Sequence, residues 1–121
     1  MNNRDKMEEL FLLGLEAYHL GNYYDAHEYW EELWSDYHFE DRKFIQGLIQ
    51  LSVSFFHIQN GNLKGAKGLI RKSLGKFIHY KGNQRGIDVN CLVKQLNIIE
   101  GQYEKMNHPS EFNWNLIPEL I

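Results

Sequence analysis

The first 108 residues contain no proline, and the two that exist, Pro109 and Pro118, fall in the last 13 positions. Proline removes a backbone donor and clashes with the preceding turn, so its absence leaves the chain free to form long helices wherever the apolar pattern asks for them. At 121 residues the chain fits one domain, large enough to bury about two-thirds of its unfolded surface. A single expected domain therefore spans 1–121.

Apolar periodicity and punctuation divide this stretch into five expected helices. The first starts near Asp5, where Asp5 and Glu8 have the spacing of a capping box, and turns Met7, Leu10, Phe11, Leu15 and Tyr18 inward. Gly21-Asn22 ends it: glycine tolerates the left-handed conformation that closes a helix, and asparagine can cap the next one. The second helix runs from about Tyr23 to Asp36 and the third from about Arg42 to Gln59. Asn60-Gly61-Asn62 repeats the earlier punctuation, the fourth helix covers Leu63 to His79, and the polar stretch from Lys81 to Ile87 reads as a loop. Asp88 is a suitable cap for a fifth helix reaching about Met106, and 109–121 reads as an irregular tail packed on the rest.

The segment from Tyr18 to Ala26 is echoed by the segment from Phe56 to Ala66, with the two Gly-Asn pairs 40 residues apart. Each copy reads as a helical hairpin, and the hydrophobic–x–Gly-Asn–x–x–x–Ala pattern resembles the turn of a tetratricopeptide repeat. Two copies are too few for an open solenoid, so the expected fold class is all-α, a compact bundle of two echoing hairpins plus a C-terminal helix and tail.

On the third helix, apolar residues occupy nearly every direction, as in a buried helix. Arg42, Gln46, Gln50 and His57 are the exceptions and share one face. If the second and third helices pack antiparallel, this stripe meets His27 and Glu31, with Glu28 a step toward solvent and Trp34 on the neighbouring apolar arc. Three readings of the cluster follow. It is a satisfied buried network in which Gln46 and Gln50 bond to Glu31 and His27; or a divalent-metal site with His27, Glu31 and His57 as ligands and Glu28 as base of a hydrolase; or a small-molecule or peptide pocket walled by Trp30 or Trp34. No HExxH motif, phosphate loop, nucleophile elbow or GxGxxG is present, so the sequence leans away from an enzyme, and no cofactor is expected.

The near-neutral total of −3 conceals an asymmetric chain. Residues 1–60 hold 11 acids and 4 bases, residues 61–121 hold 5 acids and 9 bases. The fourth helix carries Lys64, Lys67 and Arg71 on one face, which reads as an ordinary solvated surface, a contact for an acidic partner such as the acidic second helix of another copy, or a nucleic-acid contact. Protein partners or self-association are favoured over nucleic acid. Gly65, Gly68 and Gly75 in that helix suggest close packing there, since each costs a helix about 1 kcal/mol. The lone Cys91, beside Leu92 and Val93, reads as a core thiol. One cysteine excludes an intrachain disulfide, and with no apolar run of membrane-spanning length the expected location is the cytoplasm, without membrane contact.

The ordered set Gly21-Asn22-Tyr23-Tyr24-Asp25-Ala26-His27-Glu28-x-Trp30-Glu31-x-x-Trp34, Arg42-x-Phe44-x-Gln46-Gly47-Leu48-Ile49-Gln50, His57 and Gly61-Asn62-x-x-Gly65-Ala66 strongly resembles the family called domain of unknown function 309 over about residues 10–78. The resemblance implies a small all-helical bacterial or archaeal bundle without established activity, whose recurrent segments coincide with the polar stripe. Residues 88–121 lie outside it.

Overall fold

A computed structural model describes residues 2–121. It contains α1 (Asn3–His19), α2 (Tyr23–Asp36), α3 (Arg42–Gln59), α4 (Leu63–Phe77) and α5 (Val89–Lys105). A two-stranded hairpin, β1 (Asn83–Gln84) and β2 (Ile87–Asp88), precedes α5, and two 3-10 turns, Pro109–Glu111 and Trp114–Leu116, punctuate the tail. Packing runs mainly between consecutive helices, α1 on α2, α2 on α3, α3 on α4 and α4 on α5. The fold is all-α.

The two Gly-Asn turns have the same geometry. Gly21 and Gly61 sit at φ 79° and 77°, a region that costs other residues about 1–2 kcal/mol. Gly21 N–H donates to the Tyr18 carbonyl and Asn22 N–H to that of Ala17; Gly61 and Asn62 donate likewise to Ile58 and His57. Each turn thereby satisfies helix-end carbonyls that would otherwise lack a donor. Ala26 and Ala66, at matching places in the following helices, are fully buried. The capping differs between copies: the Asn62 side chain accepts from Gly65 N–H, whereas Asn22 makes no such bond.

α3 is the central element, burying Phe44, Ile45, Leu48, Leu51, Phe55 and Ile58. The first hairpin closes on Trp30, which is fully buried and donates its indole N–H to the Phe11 carbonyl at 3.1 Å. A Cβ on Gly14 would overlap the Trp30 ring. Glycine here sets how closely α1 and α2 approach.

Several expectations need correction. The cap of α1 is Asn2, whose side chain accepts from Asp5 N–H, so the helix starts two residues before Asp5. The polar stretch 81–87 contains a hairpin register, Asn83 opposite Asp88 and Gln84 opposite Ile87, closed by Arg85 and Gly86 at positive φ. Cys91 is exposed, because it lies about 100° around α5 from buried Leu92 and away from the Leu92–Leu96 side. Of the α4 glycines only Gly65 is enclosed, against Asn62 and His57; Gly68 and Gly75 have open space where a Cβ would stand.

Gly14→Ala is accordingly expected to cost about 1–3 kcal/mol by forcing the Trp30 ring out of place. Gly68→Ala should instead stabilise by up to about 1 kcal/mol through helix propensity. Urea denaturation of the two variants checks the opposite signs.

Candidate functional site

On α2, His27 is reached by two carboxylates of its own helix. Its Nε2 lies 2.7 Å from Glu31 Oε2, one turn on, and its Nδ1 lies 3.5 Å from Glu28 Oε1. Nδ1 also lies 3.3 Å from the Tyr24 carbonyl oxygen. The pair sits at the edge of the bundle, with His27 half-buried and Glu31 exposed. The α3 stripe is half-buried throughout but does not converge on this pair. His57 Nδ1 is met by the Asn62 amide at 3.3 Å, held by the turn that ends its own helix. Arg42 donates through Nη2 to the Trp34 carbonyl at 2.6 Å and lies 4.5 Å above the Trp34 ring, tying the start of α3 to the end of α2. The Gln50 Oε1 oxygen is buried without a partner.

Two details of the sequence reading are thereby corrected. Among the described residues no hydrogen bond links Gln46 or Gln50 to His27 or Glu31, and no three of His, Cys, Asp and Glu stand close enough to share a metal ion. Arg42 and His57 are instead taken up by Trp34 and Asn62, His27 by carboxylates of its own helix, and Gln50 Oε1 has no donor. On α4, Lys64 and Arg71 are exposed and Lys67 is half-buried. Arg71 faces Glu100 at 3.5 Å and Glu104 at 3.8 Å across α5, so part of the basic face is neutralised within the chain.

Sequence reading missed a second polar constellation. Arg85, at φ 54°, donates from Nε and Nη2 to the two carboxylate oxygens of Asp41 at 2.6 and 2.8 Å, and Gln84 donates to the same carboxylate at 2.9 Å. The guanidinium is sandwiched near the rings of Phe11 (4.9 Å) and Phe39 (5.4 Å). Side-chain exposures of 20% for Arg85 and 14% for Asp41 mark a largely desolvated pair. Burial alone would raise the Asp41 pKa, but the Arg85 and Gln84 hydrogen bonds and the Arg85 charge outweigh it and hold the carboxyl below its usual value. Glu8, Glu40 and Tyr80 complete an open cleft of about 630 Å³ around the pair. Forty-four residues separate Asp41 from Arg85, and neither stands in a periodic pattern, so nothing local in the sequence signals the pairing.

A third feature lies on the outer side of the first hairpin. Two open clefts of about 390 and 270 Å³, the first along α1 alone and the second between the end of α1 and α2, share Leu13 and Glu16 and so adjoin as one surface. Leu12, Leu13, Ala17, Leu20 and Tyr29 supply its apolar surface, and its charged lining is entirely acidic: Asp5, Glu8, Glu9, Glu16 and Asp25. Among the described residues none of these five carboxylates makes an ion pair.

The architecture is that of an all-α protein made of helical hairpins. Residues 11–69, from the middle of α1 into α4, match the family described as Domain of unknown function (DUF309). An "Uncharacterized protein" of Aquifex aeolicus (strain VF5) is 27% identical over 104 residues, covering 85% of this chain and 31% of that protein. The "Uncharacterized protein YpuF" of Bacillus subtilis (strain 168) is 29% identical over 100 residues, covering 80% of this chain and 56% of its own length. The chain thus matches about a third of one relative and just over half of the other. No solved structure matches. Among the described residues no helix is long and apolar enough to cross a membrane.

Three outcomes follow from these geometries. Gln50→Leu should be neutral or slightly stabilising, since it removes a buried acceptor that has no donor, and making His27 apolar as well should add nothing beyond the separate effects. Arg85→Ala should destabilise by about 1–3 kcal/mol by orphaning Asp41, and Arg85→Gly by about 1 kcal/mol less, because glycine relieves the left-handed backbone. A carboxylate with a depressed folded-state pKa stabilises fully above its unfolded value, near pH 3.9, and loses that contribution as pH falls toward the folded value. Chemical denaturation across pH 2.5–7 should therefore show a shallower acid-side loss for Asp41→Asn than for the parent chain, on the order of one titrating group.

Proposed function

We propose that the chain is a noncatalytic interaction domain, built on tetratricopeptide-like hairpins, whose outer α1–α2 groove docks a basic amphipathic segment of a partner protein. The observation that carries this reading is the groove's apolar floor under a rim of one sign. Leu12 and Leu20 are 51% and 68% exposed, a size of apolar side chain that a partner's apolar face can cover. The acidic rim selects lysine- and arginine-bearing partners, accelerates their encounter and repels acidic competitors. An apolar stripe flanked by unpaired charge is the arrangement that receives an amphipathic helix in a groove. In the same reading Arg42, bonded to the Trp34 carbonyl and lying over its ring, fixes the start of α3 against the end of α2, and the His27–Glu31 pair performs no chemistry.

The probe is a fluorescein-labelled synthetic helix of leucine and lysine, followed by anisotropy. It is expected to bind the parent chain with an affinity that falls about tenfold or more between 50 and 300 mM salt. Glu16→Lys with Asp25→Lys should abolish binding. Glu32→Lys with Asp36→Lys, the same charge change outside the groove lining, should leave most of it. Equal losses in the two double variants would mean that net charge, not the groove, attracts the probe. Sedimentation of the protein alone over the same salt range separates a second copy as occupant, through salt-sensitive self-association.

A further inference from the structure

The tail from Asn107 to Ile121 lies along a face built by α1, α3 and α5 with Tyr23 at the start of α2, and the way it is held resembles a bound peptide more than a packed element. Phe112, Pro118 and Leu120 are buried, while Asn113, Trp114, Asn115 and Glu119 between them are exposed. Phe112 sits 5.5 Å from the Tyr103 ring and 6.4 Å from Phe55, and Trp114 stacks on Tyr23 at 6.3 Å with 12° between the planes. The tail backbone is gripped by side chains of the helices. Gln102 on α5 donates to the Glu111 carbonyl at 3.3 Å and accepts from Asn113 N–H at 3.2 Å, clamping the main chain on both sides of Phe112. On α1, the buried Tyr18 hydroxyl donates to the Pro118 carbonyl at 2.8 Å, and His19 Nε2 accepts from Leu120 N–H at 3.3 Å. Apart from its two 3-10 turns, the segment has no secondary structure of its own.

All four of these bonds read backbone atoms, and the apolar contacts read two anchors eight residues apart, Phe112 and Leu120. None of this requires that the gripped segment be covalently joined to α5. Open clefts also flank the tail, one of about 480 Å³ between Gln59, Gly61, His108 and Trp114, the other of about 250 Å³ between Asp88, Cys91, Ile117 and Leu120. They give a competing segment places to begin.

We propose that the α1/α3/α5 face is a peptide-binding groove occupied in cis by the tail, and that an extended partner segment with an aromatic anchor and, eight residues later, a proline-preceded leucine-type anchor takes the tail's place. The tail is then a built-in competitor that sets an affinity threshold, because a site available for a fraction of the time binds a ligand more weakly by that fraction. An emptied groove would expose Tyr18, Tyr23, Phe55 and Tyr103 together, so exchange of one segment for another is favoured over simple release. The side chains that grip the tail, Tyr18, His19, Tyr23, Phe55, Gln102 and Tyr103, are not among those lining the acidic α1–α2 surface.

The test uses a fluorescein-labelled synthetic peptide with the sequence of residues 107–121, titrated into the full chain and into the full chain carrying Phe112→Ala and Leu120→Ala. The doubly substituted chain keeps the groove and weakens its occupant, so it is expected to bind the peptide at least about tenfold more tightly than the parent. Adding Gln102→Ala to that chain should reverse the gain, and a peptide with both anchors changed to alanine should bind neither chain. If the double variant loses its helical circular dichroism, Trp114→Ala, which removes a side chain already 42% exposed, is expected to give the same tightening at several-fold. A folded weakened-tail chain that does not bind the peptide, or binds the anchorless peptide equally, overturns the proposal.

Discussion

Trp30 and Gly14 determine how the first hairpin closes. A fully buried indole must satisfy its N–H, and the Phe11 carbonyl does so from the helix that Gly14 allows to come near. The consequences extend in two directions along α1. One turn sends the Phe11 ring beneath Arg85, where it helps desolvate the ion pair with Asp41 and pins the β-hairpin to the bundle. Further on, Tyr18 and His19 meet the tail. A larger residue at position 14 would displace α1 and with it both the Arg85 contact and the floor of the tail-binding face.

The charge distribution follows the same division. The acidic groove belongs to α1 and α2, which use few of their carboxylates internally, whereas α4 spends part of its basic face on Glu100 and Glu104 of α5. Among the described residues both surfaces keep unpaired charge, the acidic groups of α1 and α2 on one side and Lys64, Lys67, Lys72 and Lys76 of α4 on the other. The proposed preference for a cationic protein segment rests instead on the exposed apolar residues Leu12 and Leu20 beside the acidic groups.

Helix order, the two Gly-Asn turns and the Asp88 cap were legible in the sequence because each rests on local chemistry: periodicity, a positive φ that glycine accepts, an oxygen placed for a free amide. The all-α class followed from the same signals. The polar stripe of α3 was legible as a stripe, but not its partners: His57 is taken up by Asn62 and Arg42 by the Trp34 carbonyl, both closer along the chain than the partners expected on α2. The Asp41–Arg85 pair and the Tyr18–Pro118 bond were invisible for another reason, since each joins a lone residue to a distant one, and the Gln102 clamp grips an irregular segment; none leaves a period or motif. Cys91 was misjudged from its apolar neighbours; a helix turns about 100° per residue, so adjacency along the chain says little about sharing a face.

The central claim is that the tail is a separable occupant of a groove and not an integral layer of the bundle. Native-state hydrogen exchange of the full chain tests it directly, by comparing backbone amides of 112–120 with those of α3. The account predicts that the tail amides exchange through a local opening of distinctly lower free energy than global unfolding, with a weak dependence on denaturant, while Leu48, Leu51 and Phe55 exchange only when the whole chain unfolds. Tail amides as protected as those of α3, with the same denaturant dependence, would show that the segment opens only with the fold and would contradict the claim.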